Sequence, residues 1–209
     1  ENNMSINLIN YALAKKDWNK AYEDLKVLEK GGRNLITNSG NFNDISGWSI
    51  GVIVTKDGYK AIQVDSGTLH HTRFIGLEPD TEYVYSAWLM SSVDIPSNQI
   101  SASQPLHNQM HSGGSSSGAR DSQRLLTTGY PDIIPANTWF KIEVLVRTKP
   151  NIDSDARFVP FIYSDDDKIF TNQRYWVRDF KLEKGNRATD WTPAPEDINA
   201  HPFVAELAE

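Results

Sequence analysis

From Asn34 onward the chain alternates apolar and polar positions in short runs. The runs are "WSIGVIVT" (48–55), "KAIQVD" (60–65), "HHTRFIG" (70–76), "EYVYSAWLM" (82–90), "WFKIEVLVRT" (139–148), "RFVPFIYS" (157–164) and "RYWVRDFKLE" (174–183). They are rich in β-branched and aromatic residues, and turn chemistry separates them: "KDGY", "EPDT", "PANT" and "SDDDK". No helical period intervenes. Many short strands in series predict an all-β fold, an antiparallel β-sandwich of the jelly-roll kind.

Residues 4–30 read differently. They contain neither Gly nor Pro, Ser5 is placed to cap a helix, and "KGG" at 30–32 stops one. Leu8, Tyr11, Trp18, Tyr22, Leu25 and Leu28 recur at three- and four-residue steps, the stripe of an amphipathic α-helix. Such a helix either packs on its own domain or docks the module onto a neighbour. The expected organisation is an N-terminal helical linker or docking segment over 1–32, the sandwich over 33–192, and a Pro-rich exit and tail over 193–209.

Residues 95–119 carry no charge, and "SGGSSSG" at 112–118 has linker composition. A stretch like this is expected to bury little apolar surface and to be mobile or functional. Around Gln99–Ser103 it has the makings of an edge strand.

Strand parity supplies the candidate chemistry. In "EYVYSAWLM", Tyr83, Tyr85, Ala87 and Leu89 share one face, and Val84, Ser86, Trp88 and Met90 the other. If the first set is core, Trp88 stands on the outer surface of its sheet. In "RYWVRDFKLE", strict alternation groups Trp176, Arg178, Phe180 and Leu182 against Tyr175, Val177, Asp179 and Lys181. An aromatic ring on an outer sheet face, with hydrogen-bonding side chains at its rim, suits a pyranose: the ring packs on the C–H face while polar groups meet the hydroxyls. Trp88 is the first candidate, followed by Trp48 and Tyr130.

Composition narrows the alternatives. The net charge of −6, with no basic run, argues against nucleic acid, whose phosphates need clustered Lys and Arg. No apolar run reaches the length of a membrane helix, so a membrane partner is not expected. There are no cysteines and hence no disulfides or thiolate metal sites. Enzymatic motifs are missing: no nucleophile elbow, no HExxH, no phosphate loop and no dinucleotide fingerprint. The carboxylates of "NIDSDAR" (151–157) and "SDDDK" (164–168) lie between strands, where Asp serves turns. His70 and His71 are adjacent in a strand and point to opposite faces, which spoils them as joint ligands; His107 and His111 would need a helix. A non-catalytic role is expected.

The segments "NLITNSGNF" (34–42), "GLEPDTEYVYSAWL" (76–89), "NTWFKIEVLV" (137–146) and above all "RDFKLEKGNRATDWTPAPED" (178–197) resemble carbohydrate-binding-module-like jelly rolls. Such domains occur in the tail and baseplate proteins of phages of Gram-positive hosts, including lactococcal-type baseplate accessory and decorated distal-tail proteins. The resemblance covers about residues 33–197 and implies a virion module that grips host cell-surface saccharide beside other phage tail or baseplate proteins. The implied contact surface comprises the outer sheet face and loops, with Trp48, His70, Arg73, Trp88 and the 95–130 insertion. No cofactor is required. The resemblance also implies a structural calcium ion near the sandwich edge, with Asp44 and Asp179 as contributors by position. In the closing motif Phe180 and Leu182 are expected to anchor the last strand, and Trp191 to fold back and seal the sandwich edge. Pro193 and Pro195 are expected to end strand pairing.

Overall fold

The computed structural model describes residues 32–102, 106, 109–163, 170 and 172–199. The helix expected over 4–30, His107, the carboxylates of "SDDDK" and the tail beyond 199 lie outside the described residues. The chain runs β1 (Val52–Lys56), β2 (Tyr59–Val64), β3 (Leu69–His70), β4 (Ile75–Gly76), β5 (Glu82–Ser91), β6 (Ile95–Pro96), β7 (Gln109–His111) and β8 (Arg120–Leu125). It continues through β9 (Ile133–Ile134), β10 (Phe140–Thr148), β11 (Arg157–Val159), β12 (Phe161–Ile162) and β13 (Tyr175–Lys184), and ends in α1 (Pro195–Asn199).

One layer is a six-stranded antiparallel sheet in the order β1-β2-β13-β5-β10-β8. The opposing layer is broken. β11 pairs with β4 and β7, and β12 with β3. Pro160 parts β11 from β12 because it has no N–H to give the ladder. A core tyrosine repairs the break: the Tyr85 hydroxyl, from the opposite sheet, accepts the Phe161 N–H at 3.1 Å. Tyr175 ties in a second loop, donating to the Gly67 carbonyl at 2.8 Å. Between the layers lie Tyr83, Tyr85, Ala87 and Leu89 of β5, as parity predicts, with Val144, Phe158, Phe170, Val177, Phe180 and Leu182. The expected all-β sandwich is what the described residues form.

The residue-by-residue parity of the last strand is corrected. Arg178 pairs with Trp88 and Lys181 with Ser86, so Asp179 and Phe180 together oppose the single residue Ala87. This is a β-bulge, with Asp179 in the left-handed region at φ 55°. It swaps the faces: Trp176 and Arg178 point outward ahead of it, Phe180 and Leu182 inward after it.

The 95–119 segment also departs from expectation. Ile95, Ile100, Leu106, Met110 and Ala119 are all buried in the main core. Leu106 bridges to Ile162, and the Ala119 N–H bonds the Met110 carbonyl at 3.0 Å. Widely spaced apolar residues therefore anchor a segment that is polar between them. Pro195 opens α1, where its fixed φ suits a first helical turn, and no strand follows β13 among the described residues.

Candidate functional site

Trp88 stands where parity placed it, on the outer face of the six-stranded sheet. Strand order brings three companions to it across β2, β13, β5 and β10. The Arg178 guanidinium lies 3.8 Å from the ring centre of Tyr59, 4.8 Å from that of Trp88 and 4.8 Å from that of Trp139. Tyr59 and Trp139 meet edge to face at 6.4 Å. A planar, weakly hydrated cation among rings is favourable electrostatically, so the three aromatics and Arg178 hold one another in place. Arg178 is also paired with Asp179 at the bulge. Burial pushes the Asp179 carboxyl upward and the adjacent Arg178 opposes that.

This face has both apolar area and polar rim. Tyr59 is 48% exposed, which leaves much of its ring to solvent, and Trp88 and Trp139 are half-buried. Beside them Met90, Ala61 and Trp176 form a small second cluster. Lys56 sits 4.9 Å over the Trp176 ring, and Trp176 donates to the Gln63 side chain at 3.0 Å. On β10 Lys141, directly opposite Trp88, pairs with Glu143 at 2.7 Å. Two buried donors in the patch, Arg178 Nε and Trp139 Nε1, have no hydrogen-bond partner among the described residues.

The C-terminal segment limits the platform. Lys181 and Glu183, on the outer face beyond the bulge, are each 1% exposed and 3.6 Å apart. Thr189 covers them: Lys181 donates to its hydroxyl at 2.6 Å, and that hydroxyl donates to Glu183 at 2.7 Å.

The other residues singled out from the sequence are dispersed. Trp48 is 5% exposed, edge-on to His71 at 4.7 Å and tilted on Phe180 at 4.4 Å, so its indole belongs to the core and presents no open ring face. Its Nε1–H goes to the Asn38 carbonyl at 2.8 Å. Tyr130 packs edge-on against Phe140 at 6.1 Å, its hydroxyl donates to the Lys141 carbonyl, and burial pushes its pKa up to about 12. His70 lies in the opposing layer, stacked on Phe161 at 5.7 Å. Arg73 lines a cleft of about 590 Å³ together with Asp44, His71, Trp191 and Asp197.

Asp44 and Asp179, the calcium contributors implied by the resemblance, are each engaged within the protein. Asp44 is occupied by Ser46, whose hydroxyl and backbone N–H hold its pKa below 3.8; Asp179 already faces a guanidinium. Among the described residues no three His, Asp or Glu side chains converge on a point fit for a metal.

Sequence reasoning missed Tyr59, Trp139 and Arg178 as partners of Trp88. Trp139 and Arg178 were read at or in strands and Tyr59 in the "KDGY" turn, and only register unites them.

No family model matches the sequence, and no curated protein matches it. Solved structures do. A family 16 carbohydrate-binding module is 20% identical with a TM-score of 0.44, over 71% of this chain and 99% of that one. The tripod from the baseplate of bacteriophage Tuc2009 is 16% identical with a TM-score of 0.35, over 79% of this chain and 59% of that one. A structure of the carbohydrate-binding and catalytic modules of Clostridium thermocellum xylanase 10B with xylohexaose is 9% identical with a TM-score of 0.39, over 77% of this chain and 30% of that one. Carbohydrate-binding modules and a phage baseplate protein thus stand among the structural neighbours. Among the described residues no helix is long and apolar enough to cross a membrane.

Proposed function

We propose that the chain is a non-catalytic saccharide-binding module of a phage tail or baseplate protein, and that Trp88, Tyr59 and Trp139 hold host cell-wall polysaccharide on the virion's behalf. The observation that carries this reading is three rings gathered around Arg178 on the outer face of a sheet. A pyranose laid on Tyr59 and Trp88 buries its C–H face. Its hydroxyls meet Lys141, Glu143 and Gln63 at the rim. An open platform suits a polymer passing across it better than a chain end. Each contact is weak, and many copies on one particle multiply it. The resemblance of the closing motif to phage tail jelly rolls supports the virion setting, with other tail or baseplate proteins as the second class of partner.

Co-sedimentation with purified cell walls of a Gram-positive host tests this. The wild-type chain should pellet with the walls, and Trp88→Ala and Tyr59→Ala should each require at least about tenfold more wall to do so, since losing a stacked ring together with its buried area is worth about 1.4 kcal/mol or more. Equal pelleting by all three proteins contradicts the proposal.

A second reading, a structural protein-binding module of the virion, is favoured by one observation. Phe74, 61% exposed, stands on the opposing layer with the Arg157 guanidinium 4.5 Å from its ring.

A further inference from the structure

We infer that the cleft walled by the 37–47 loop, residues 71–73 and the 191–197 segment is a second saccharide site, separate from the platform, that takes one or two uncharged sugar units. Its volume of about 590 Å³ lies in the range of small-ligand pockets. The inference does not rest on the platform, with which the cleft shares no lining residue.

The cleft is built rigidly. Trp191 forms one wall; its Nε1–H donates to Ser39 Oγ at 3.2 Å, and its ring lies so close to Gly40 that a Cβ there would stand 2.5 Å from two ring carbons. Asn38, at φ 48°, braces the loop on two sides. Its backbone N–H donates to both oxygens of Asp197 at 3.0 and 2.9 Å, and its side-chain amide donates to the carbonyls of Asp44 and Ser46 at 3.0 and 2.9 Å. His71 makes the floor. Its Nδ1 accepts the Arg73 N–H at 3.1 Å, so its Nε2–H is left to donate to the Thr37 carbonyl at 3.2 Å, and burial keeps the ring neutral. A site that needs no ordering loses little affinity to entropy.

The lining mixes donors and acceptors around an indole. Asn41 and Asn43 are exposed at the rim, and Arg73 has no ion-pair partner among the described residues. Sugar hydroxyls donate and accept at once, so a ring of them needs amides, a guanidinium and carboxylates in one place. The charge selects the class. Asp44, Asp197 and Glu196 outnumber Arg73, and Glu196 is neutralised by Arg33. The remaining excess is negative, which disfavours phosphate-bearing or uronate units and leaves neutral hexoses and N-acetylhexosamines. With the platform on the sheet face, one chain would then hold a polysaccharide at two places.

The test is nitrogen-15 NMR of the full chain, following the indole N–H signals, with the Trp191 signal assigned by Trp191→Phe. Glucose, galactose, N-acetylglucosamine and glycerol phosphate are added separately to about 50 mM, enough for a millimolar site. At least one neutral sugar should shift the Trp191 signal saturably. The shift should persist in Trp88→Ala and weaken at least about tenfold in Arg73→Ala and Asn43→Ala. No response at Trp191 to any neutral sugar overturns the inference, as does a response undiminished in both cleft variants. A response to glycerol phosphate alone overturns the assigned class. Loss of wall binding in Trp88→Ala with the Trp191 shift intact separates the fate of this site from that of the platform.

Discussion

The side-chain amide of Asn34 donates to the carbonyl of Thr192 at 3.0 Å, joining the first described segment to the last across 158 positions of sequence. The same amide lies 2.9 Å from Ser39 Oγ and 3.0 Å from the Phe180 carbonyl, so its two N–H groups are shared among three acceptors. Its oxygen accepts the N–H groups of Ile36 at 3.0 Å and Leu182 at 3.3 Å. Asn34 is fully buried, so no water substitutes for these bonds. Asn34→Ala should lower stability by roughly 2–4 kcal/mol, the range for orphaning several buried polar groups. Asn34→Asp should fare little better, because a carboxylate cannot donate to the three acceptors. Urea unfolding checks both, and a change under about 0.5 kcal/mol contradicts the assignment.

Lys181 and Glu183 form a buried pair under Thr189. Burial pulls the Lys181 pKa down while Glu183 pulls it back. Removing one partner strands the other charge, so Glu183→Leu and Lys181→Met should each cost about 3–5 kcal/mol. The double variant should be more stable than either single one. Strict additivity of the two losses would show that the charges do not compensate one another.

His71 sets a pH dependence. Burial holds its folded-state pKa below the ordinary 6.5, so the unfolded chain takes the proton first. Stability from this group is therefore complete above about pH 6.5 and declines as pH falls toward the folded-state value, with a slope of at most about 1.4 kcal/mol per pH unit. Asp179 and Asp197, whose pKa values burial raises, act in the opposite sense at lower pH, above the ordinary carboxylate value of 3.8. Urea midpoints at pH 7.5 and 5.5 should separate for wild type and converge for His71→Asn. Equal separation in both proteins would remove His71 from the account.

The carboxylates of Asp44 and Asp179 are both engaged within the protein. Adding a chelator should accordingly leave the melting temperature unchanged to within about a degree, whereas a drop of several degrees would reveal a bound ion worth a kcal/mol or more.

The long strands β5, β10 and β13 were legible in the sequence because each is a run of nine or ten residues rich in β-branched and aromatic side chains. Strand β8 was not, since "RDSQRL" is a polar edge strand with no apolar rhythm. The bulge was hidden because a single Asp in a long apolar run is equally compatible with an outward-facing strand position, and only the left-handed backbone of Asp179 marks it. The core content of 95–119 escaped for a similar reason: Ile95, Ile100, Leu106 and Met110 follow neither the strand nor the helix period. At the candidate site, parity alone exposed Trp88. Tyr59, Trp139 and Arg178 joined it through non-local pairing, which no local pattern encodes.

The most direct measurement is tryptophan fluorescence during titration with host-wall polysaccharide, in wild type, Trp88→Ala and Trp88→Phe. A sugar stacked on the indole should give a saturable change in wild-type emission. The apparent affinity should fall at least about tenfold in Trp88→Ala and recover in part in Trp88→Phe, which restores a ring. A flat wild-type titration, or three curves with one midpoint, would contradict the claim that this outer sheet face is a gripping surface.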